Sequence, residues 1–130
     1  MSLWGFSLGA MISLLASAER PLDTLTLCSP SGYFKEYMPL IAPEFTGWCT
    51  LQQLAEFQTN SLMSLLERTH VRRAAVLAGD QELAAWPTFR EAVSDIHQST
   101  GWPLRIIANT HHDIDQPGYR QELQSVITSL

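Results

Sequence analysis

A serine hydroxyl becomes a useful nucleophile only when it is exposed, positioned and next to a base. Gly5-Phe6-Ser7-Leu8-Gly9 has the form that achieves this with a tight strand-to-helix turn. Small residues two before and two after the serine let the backbone pass close to its neighbours. The Leu8 amide would then point at a developing oxyanion from a helix N-terminus, where the dipole favours negative charge. Two further groups could complete such a site. Asp80 and Glu82 follow the apolar run at 74–78, and His111 and His112 follow the run at 104–108. Either carboxylate and either histidine fits at this point. The chemistry would be acyl transfer: serine attacks, imidazole takes its proton, and the carboxylate holds the imidazole in the useful tautomer. The same residues also admit plainer readings, namely a glycine-flanked helix start, a solvated acidic turn and a polar loop with an adventitious metal site. His70 and His97 fall at helix ends or surfaces and receive no role.

Positioning these residues requires elements that end near one another. Residues 7–19 read as a helix apolar nearly all round, with Leu8, Met11, Ile12, Leu14 and Leu15, as expected for packing against a sheet. Residues 22–28 alternate Leu25 and Leu27 with Thr24 and Thr26, a strand pattern. Ser29-Pro30-Ser31-Gly32 signals a loop, and residues 33–47 have two prolines and no clear period, an irregular excursion. Thr50 is a plausible N-cap for one helix over 51–68. The continuous apolar run at 74–78 suits a central parallel strand, with a loop at 79–82. Pro87 opens a helix with Phe89, Ala92, Val93 and Ile96, closed by Gly101. A strand at 104–108 and a polar loop at 109–116 follow. Pro117 opens a last helix with Tyr119, Leu123, Val126, Ile127 and Leu130 on one side. Strands alternating with helices predict an α/β fold with a short parallel sheet and crossover helices.

The three chemical groups stand in the order serine, acid, histidine, each at the end of a strand. That order and the glycine-flanked Ser7 resemble the α/β-hydrolase superfamily from its nucleophile elbow to its last helix. The resemblance covers nearly the whole chain. It implies a partial α/β-hydrolase fold, a three-layer sandwich forming a single truncated domain over 1–130. It also implies a serine hydrolase acting on a small-molecule ester or thioester, with no cofactor and no metal. In the family the acid usually lies three residues after a strand-closing glycine. Gly79 plus three makes Glu82 the acid, with Asp80 the runner-up. His112 suits the spacing of the family histidine better than His111, and His112-Asp113-Ile114 resembles a run seen in lipase-like members. By the same analogy residues 33–48 would form a cap or lid. Phe6, Tyr33, Phe34 and Trp48 are then the candidate substrate-binding residues. The sequence departs from the family where strands and the second oxyanion loop would precede Ser7. That departure leaves weak activity as one expectation. A non-catalytic remnant serving as an oligomerisation or interaction module is the other.

Composition narrows the classes. The 130 residues suit one domain, and a 45% hydrophobic, 16% charged balance is ordinary for a globular core. A formal net charge of -5, with only Arg72 and Arg73 adjacent, argues against nucleic acid as a partner. Cys28 and Cys49 lack metal-ligand spacing and read as free thiols in a reducing compartment, so a cytoplasmic location is expected. The apolar stretch near the N-terminus carries no preceding Lys or Arg and is broken by Gly5 and Gly9, unlike a secretory leader. No apolar run is long enough to span a bilayer. Leu3, Trp4, Phe6, Met11 and Leu15 border the expected open sheet edge, which predicts a homo-oligomer.

Overall fold

A computed structural model describes residues 1–41 and 43–129 of the chain. Its four strands are β1 (Ser2–Phe6), β2 (Leu22–Cys28), β3 (Val71–Gly79) and β4 (Leu104–Ile107). They form one sheet in the order β1-β2-β3-β4, every neighbouring pair parallel. Parallel neighbours need crossovers, and helices supply them. Helix α1 (Leu8–Glu19) joins β1 to β2, while α2 (Leu51–Thr59) and α3 (Leu62–Arg68) precede β3. Helices α4 (Asp80–Ala85) and α5 (Pro87–Thr100) lead to β4, and α6 (Pro117–Ser129) closes the described chain. This is the expected α/β fold with a parallel sheet and crossover helices.

Side-chain alternation in β3 shows how the sheet is buried. Ala74, Val76 and Ala78 enter a cluster with Leu25 and Leu27 of β2 and with residues of α1, α3 and α5. Ala75 and Leu77 enter a second cluster with Ile107 of β4 and with Tyr119 and Val126 of α6. The continuous apolar run in β3 therefore follows from burial on both faces. In β2 the expected half-buried alternation gives way to the same condition, because Thr26 is buried between buried Leu25 and Leu27.

Two elements and the faces of α1 differ from their sequence expectations. The helix expected over 51–68 is two helices. The Asn60 amide donates to the Glu56 carbonyl at 3.1 Å, and Ser61 starts α3 by accepting from the Ser64 amide. Cap-forming side chains at adjacent positions thus offer the backbone an alternative to continuing. The loop expected at 79–82 is instead the start of α4, where Glu82 reaches back to the Gly79 amide at 2.9 Å. Met11, read on a buried face of the first helix and also beside the open edge, is buried in the main cluster, whereas Ile12, expected on a buried face, is not. The outward positions are Ile12, 59% exposed, and Trp4, 49% exposed. Leu130 lies outside the described residues. Cys28 and Cys49 are both free thiols. Among the described residues no helix is long and apolar enough to cross a membrane.

Candidate active site

The carboxyl ends of β1, β2, β3 and β4 carry the residues that meet. Ser7 directly follows β1 and is the N-cap of α1, with φ 59° and ψ -117°. A non-glycine residue in that region stores strain of order 1–3 kcal/mol. The turn is held by the Ser7 amide, which donates to the Cys28 carbonyl at 2.9 Å. Gly5 makes the turn possible, because a Cβ there would stand 2.2 Å from the Gly9 carbonyl oxygen. Gly9 is not needed in the same way, since nothing lies within 4 Å of its would-be Cβ.

His112 arrives from the loop after β4. Its Nε2 lies 3.0 Å from Ser7 Oγ, and its Nδ1 lies 2.5 Å from Glu82 Oε2. Both contacts are within reach of proton transfer and orientation. The ring is held by aromatic neighbours. Phe6 stacks on it at 4.7 Å and 25°, and Trp86 and Phe89 meet it edge-on at 5.4 and 5.2 Å. Asp80 sits elsewhere: its Oδ1 accepts from the Thr110 amide at 3.2 Å. Hydrogen bonds from the Thr110 and Asn109 amides hold its carboxyl below the usual value. Asp80 therefore ties the start of the histidine loop to β3. His111 is exposed.

The Glu82 carboxylate is sealed from solvent and satisfied on both oxygens. Oε2 accepts from His112 and from the Ser29 hydroxyl, and Oε1 accepts from the Tyr119 hydroxyl and the Gly79 amide. Burial alone would raise its pKa. The hydrogen bonds from His112, Ser29, Tyr119 and Gly79 outweigh burial and leave it lowered. Tyr119 responds in the opposite sense, its phenol raised by burial and by its bond to Glu82. Ser29 also lies 3.1 Å from His112 Nδ1. Burial, and secondarily the Glu82 charge, pushes the Cys28 thiol up to about 12, so it stays neutral beside the site.

A cleft of about 470 Å³ opens beside Ser7 and His112. Ser31, Tyr33, Leu40 and Ile41 line it from the segment after β2, and Trp86, Thr88 and Phe89 from the α4–α5 corner. Of the four substrate-binding candidates, only Tyr33 lines this cleft. Phe6 lies beneath the imidazole and meets Tyr119 edge-on at 5.5 Å. Phe34 is 1% exposed in the hydrophobic core. Trp48 packs against Tyr33 and Phe57 on the outer surface. Sequence reasoning missed Ser29, Tyr119, Trp86 and Phe89 as site residues. The available signal was position: Ser29 directly follows β2, and Trp86 directly precedes the helix-opening Pro87. Nothing in local spacing marked Tyr119, which read simply as one apolar position of the last helix.

Such a constellation can deprotonate a serine, stabilise the imidazolium that forms, and offer an apolar surface to an acyl or alkyl group. No protein-family model matches the sequence, and no curated protein does. A solved structure that the chain resembles is the capsule O-acetyltransferase of Neisseria meningitidis serogroup A, with a TM-score of 0.62 and 12% sequence identity. The match covers 98% of this chain and 56% of that one, so the chain spans little more than half of the neighbour's length. At that identity the likeness is one of fold, a parallel α/β sheet with crossover helices.

Proposed function

We propose that this chain is a serine acyl hydrolase or acyltransferase of α/β-hydrolase type, acting on a carboxylic ester or thioester. The observation that supports this best is the hydrogen-bonded chain from Ser7 through His112 to Glu82. Ser7 Oγ attacks the acyl carbonyl carbon while His112 Nε2 takes its proton. The tetrahedral oxyanion faces the Leu8 amide at the start of α1. Collapse expels the alcohol or thiol, protonated by His112, and leaves an acyl-serine. Water then repeats the sequence and releases the acid, or an acceptor hydroxyl carries the acyl group away. That second outcome is the reaction type named for the fold neighbour. Glu82 stays ionised throughout and orients the imidazole. Residues 1–130 act as one α/β unit, and part of the 33–48 excursion serves as a cap over the cleft.

Turnover of short-chain nitrophenyl esters tests this reading. Ser7→Ala should reduce the rate to background, and His112→Ala should lower kcat by about 10²–10⁴-fold. Unchanged turnover in Ser7→Ala would reject the assignment. A second reading, an interaction module, is favoured by one observation: β1 is an edge strand that carries exposed Trp4, and the following α1 carries exposed Ile12. Light scattering across a concentration series addresses it, because a constant mass of 14.6 kDa excludes self-association.

A further inference from the structure

The cleft beside Ser7 differs in character from the rest of the molecule. The chain carries 21 Lys, Arg, Asp and Glu residues among 130 (8 plus 13). Among the described residues none of these lines the cleft. The surface around Ser7 is instead mostly apolar, with two sets of apolar side chains beside the uncharged polar residues Ser31, Tyr33 and Thr88. Trp86 and Phe89 form one, their rings 5.0 Å apart and both edge-on to His112. Leu40 and Ile41 contribute to the other, and Leu40 is mostly exposed although it is apolar. The available volume of about 470 Å³ falls in the range of small-molecule sites. Ligand charge decides what such a lining accepts. A carboxylate or phosphate entering it loses hydration without gaining a cationic partner, which is strongly unfavourable. An alkyl or aryl group gains from leaving water, at about 0.8 kcal/mol per buried CH₂.

We infer that the cleft selects an uncharged ester whose apolar group packs on the Trp86–Phe89 corner and the Leu40–Ile41 pair, and that it rejects polyanionic thioesters. This rests on the reading of Ser7 as the nucleophile only for its kinetic consequence, since binding can be measured without turnover. A chain-length series then follows an ascending course. From nitrophenyl acetate to nitrophenyl hexanoate kcat/KM rises by at least tenfold, and a terminal carboxylate on the acyl chain removes that gain. Leu40→Ser, which lies off the hydrogen-bonded chain, flattens the dependence on chain length.

The binding arm uses the Ser7→Ala variant and a matched pair of amides, N-hexylacetamide and 6-acetamidohexanoate. Chemical-shift mapping should show the neutral amide perturbing Trp86, Phe89 and Leu40, with the charged partner bound at least tenfold more weakly. Acetyl coenzyme A should not compete for these residues. Equal binding of the two amides, or competition by acetyl coenzyme A, overturns the inference. Selective binding of the neutral amide with no ester hydrolysis by the wild type keeps the inference and rejects the proposed function. Hydrolysis that is indifferent to chain length and charge does the reverse.

Discussion

Ser7, Glu82 and His112 each depend on contacts that a residue type alone does not specify. Glu82 is a buried carboxylate whose four donors replace the water it has lost, and Tyr119 is the one supplied by the last helix. Tyr119→Phe keeps the ring against Phe6 and removes only the hydroxyl. A lost hydrogen bond to a buried charge costs roughly 1.5–3 kcal/mol. Urea unfolding near neutral pH should show that loss, and it should shrink in acid once Glu82 is protonated. An equal loss at both pH values would assign the effect to packing. Ser7 offers a second test at this scale. Its φ of 59° is one that glycine adopts freely. Ser7→Gly should therefore be more stable than Ser7→Ala, by about 1 kcal/mol, in the same measurement.

At the scale of elements, the site depends on how closely the strand ends and loops approach. Gly79 ends β3, and a Cβ there would lie 2.2 Å from the Thr110 carbonyl oxygen in the histidine loop. Backbone cannot retreat as a flexible side chain can, so Gly79→Ala must push that loop away from α4. Its expected cost is at least 1–3 kcal/mol in stability. Activity should fall more than in a variant of equal instability elsewhere, because His112 moves relative to Glu82. Gly5→Ala meets the same obstacle at the Gly9 carbonyl. Thermal unfolding combined with ester turnover separates the two effects. Wild-type kcat in folded Gly79→Ala would show that the loop's position is not controlled there. Gly9→Ala is the natural comparison, since its would-be Cβ meets open space.

For the whole molecule, the buried Glu82 links stability to pH. Its folded pKa is lowered from the ordinary glutamate value. The stabilisation is therefore complete above the unfolded value and is lost as pH falls through the folded one. Acid unfolding of wild type against Glu82→Gln should show this. The variant is less stable near neutrality, and the difference narrows as pH drops below the ordinary glutamate range. A difference that stays constant with pH would mean that Glu82 is not ionised in the folded protein.

Much of this organisation was legible in the chain itself. Period-two and unbroken apolar runs report burial that any parallel sheet between helices must have, so β2, β3, β4 and the α/β class followed from local pattern. Gly5 before Ser7 is a backbone requirement that acts within a few residues, whereas Glu82 was reached through the offset that the family resemblance implies. Tertiary structure alone decided the rest. Phe34, Phe6 and Trp48 are equally apolar aromatics, yet one fills the core, one lies under the imidazole and one packs outside. Ser29 and Tyr119 converge on one carboxylate across separations of 53 and 37 residues. Side-chain chemistry limits what a residue can do, whereas partners so distant along the chain are set by the packing of the strands and helices that carry them.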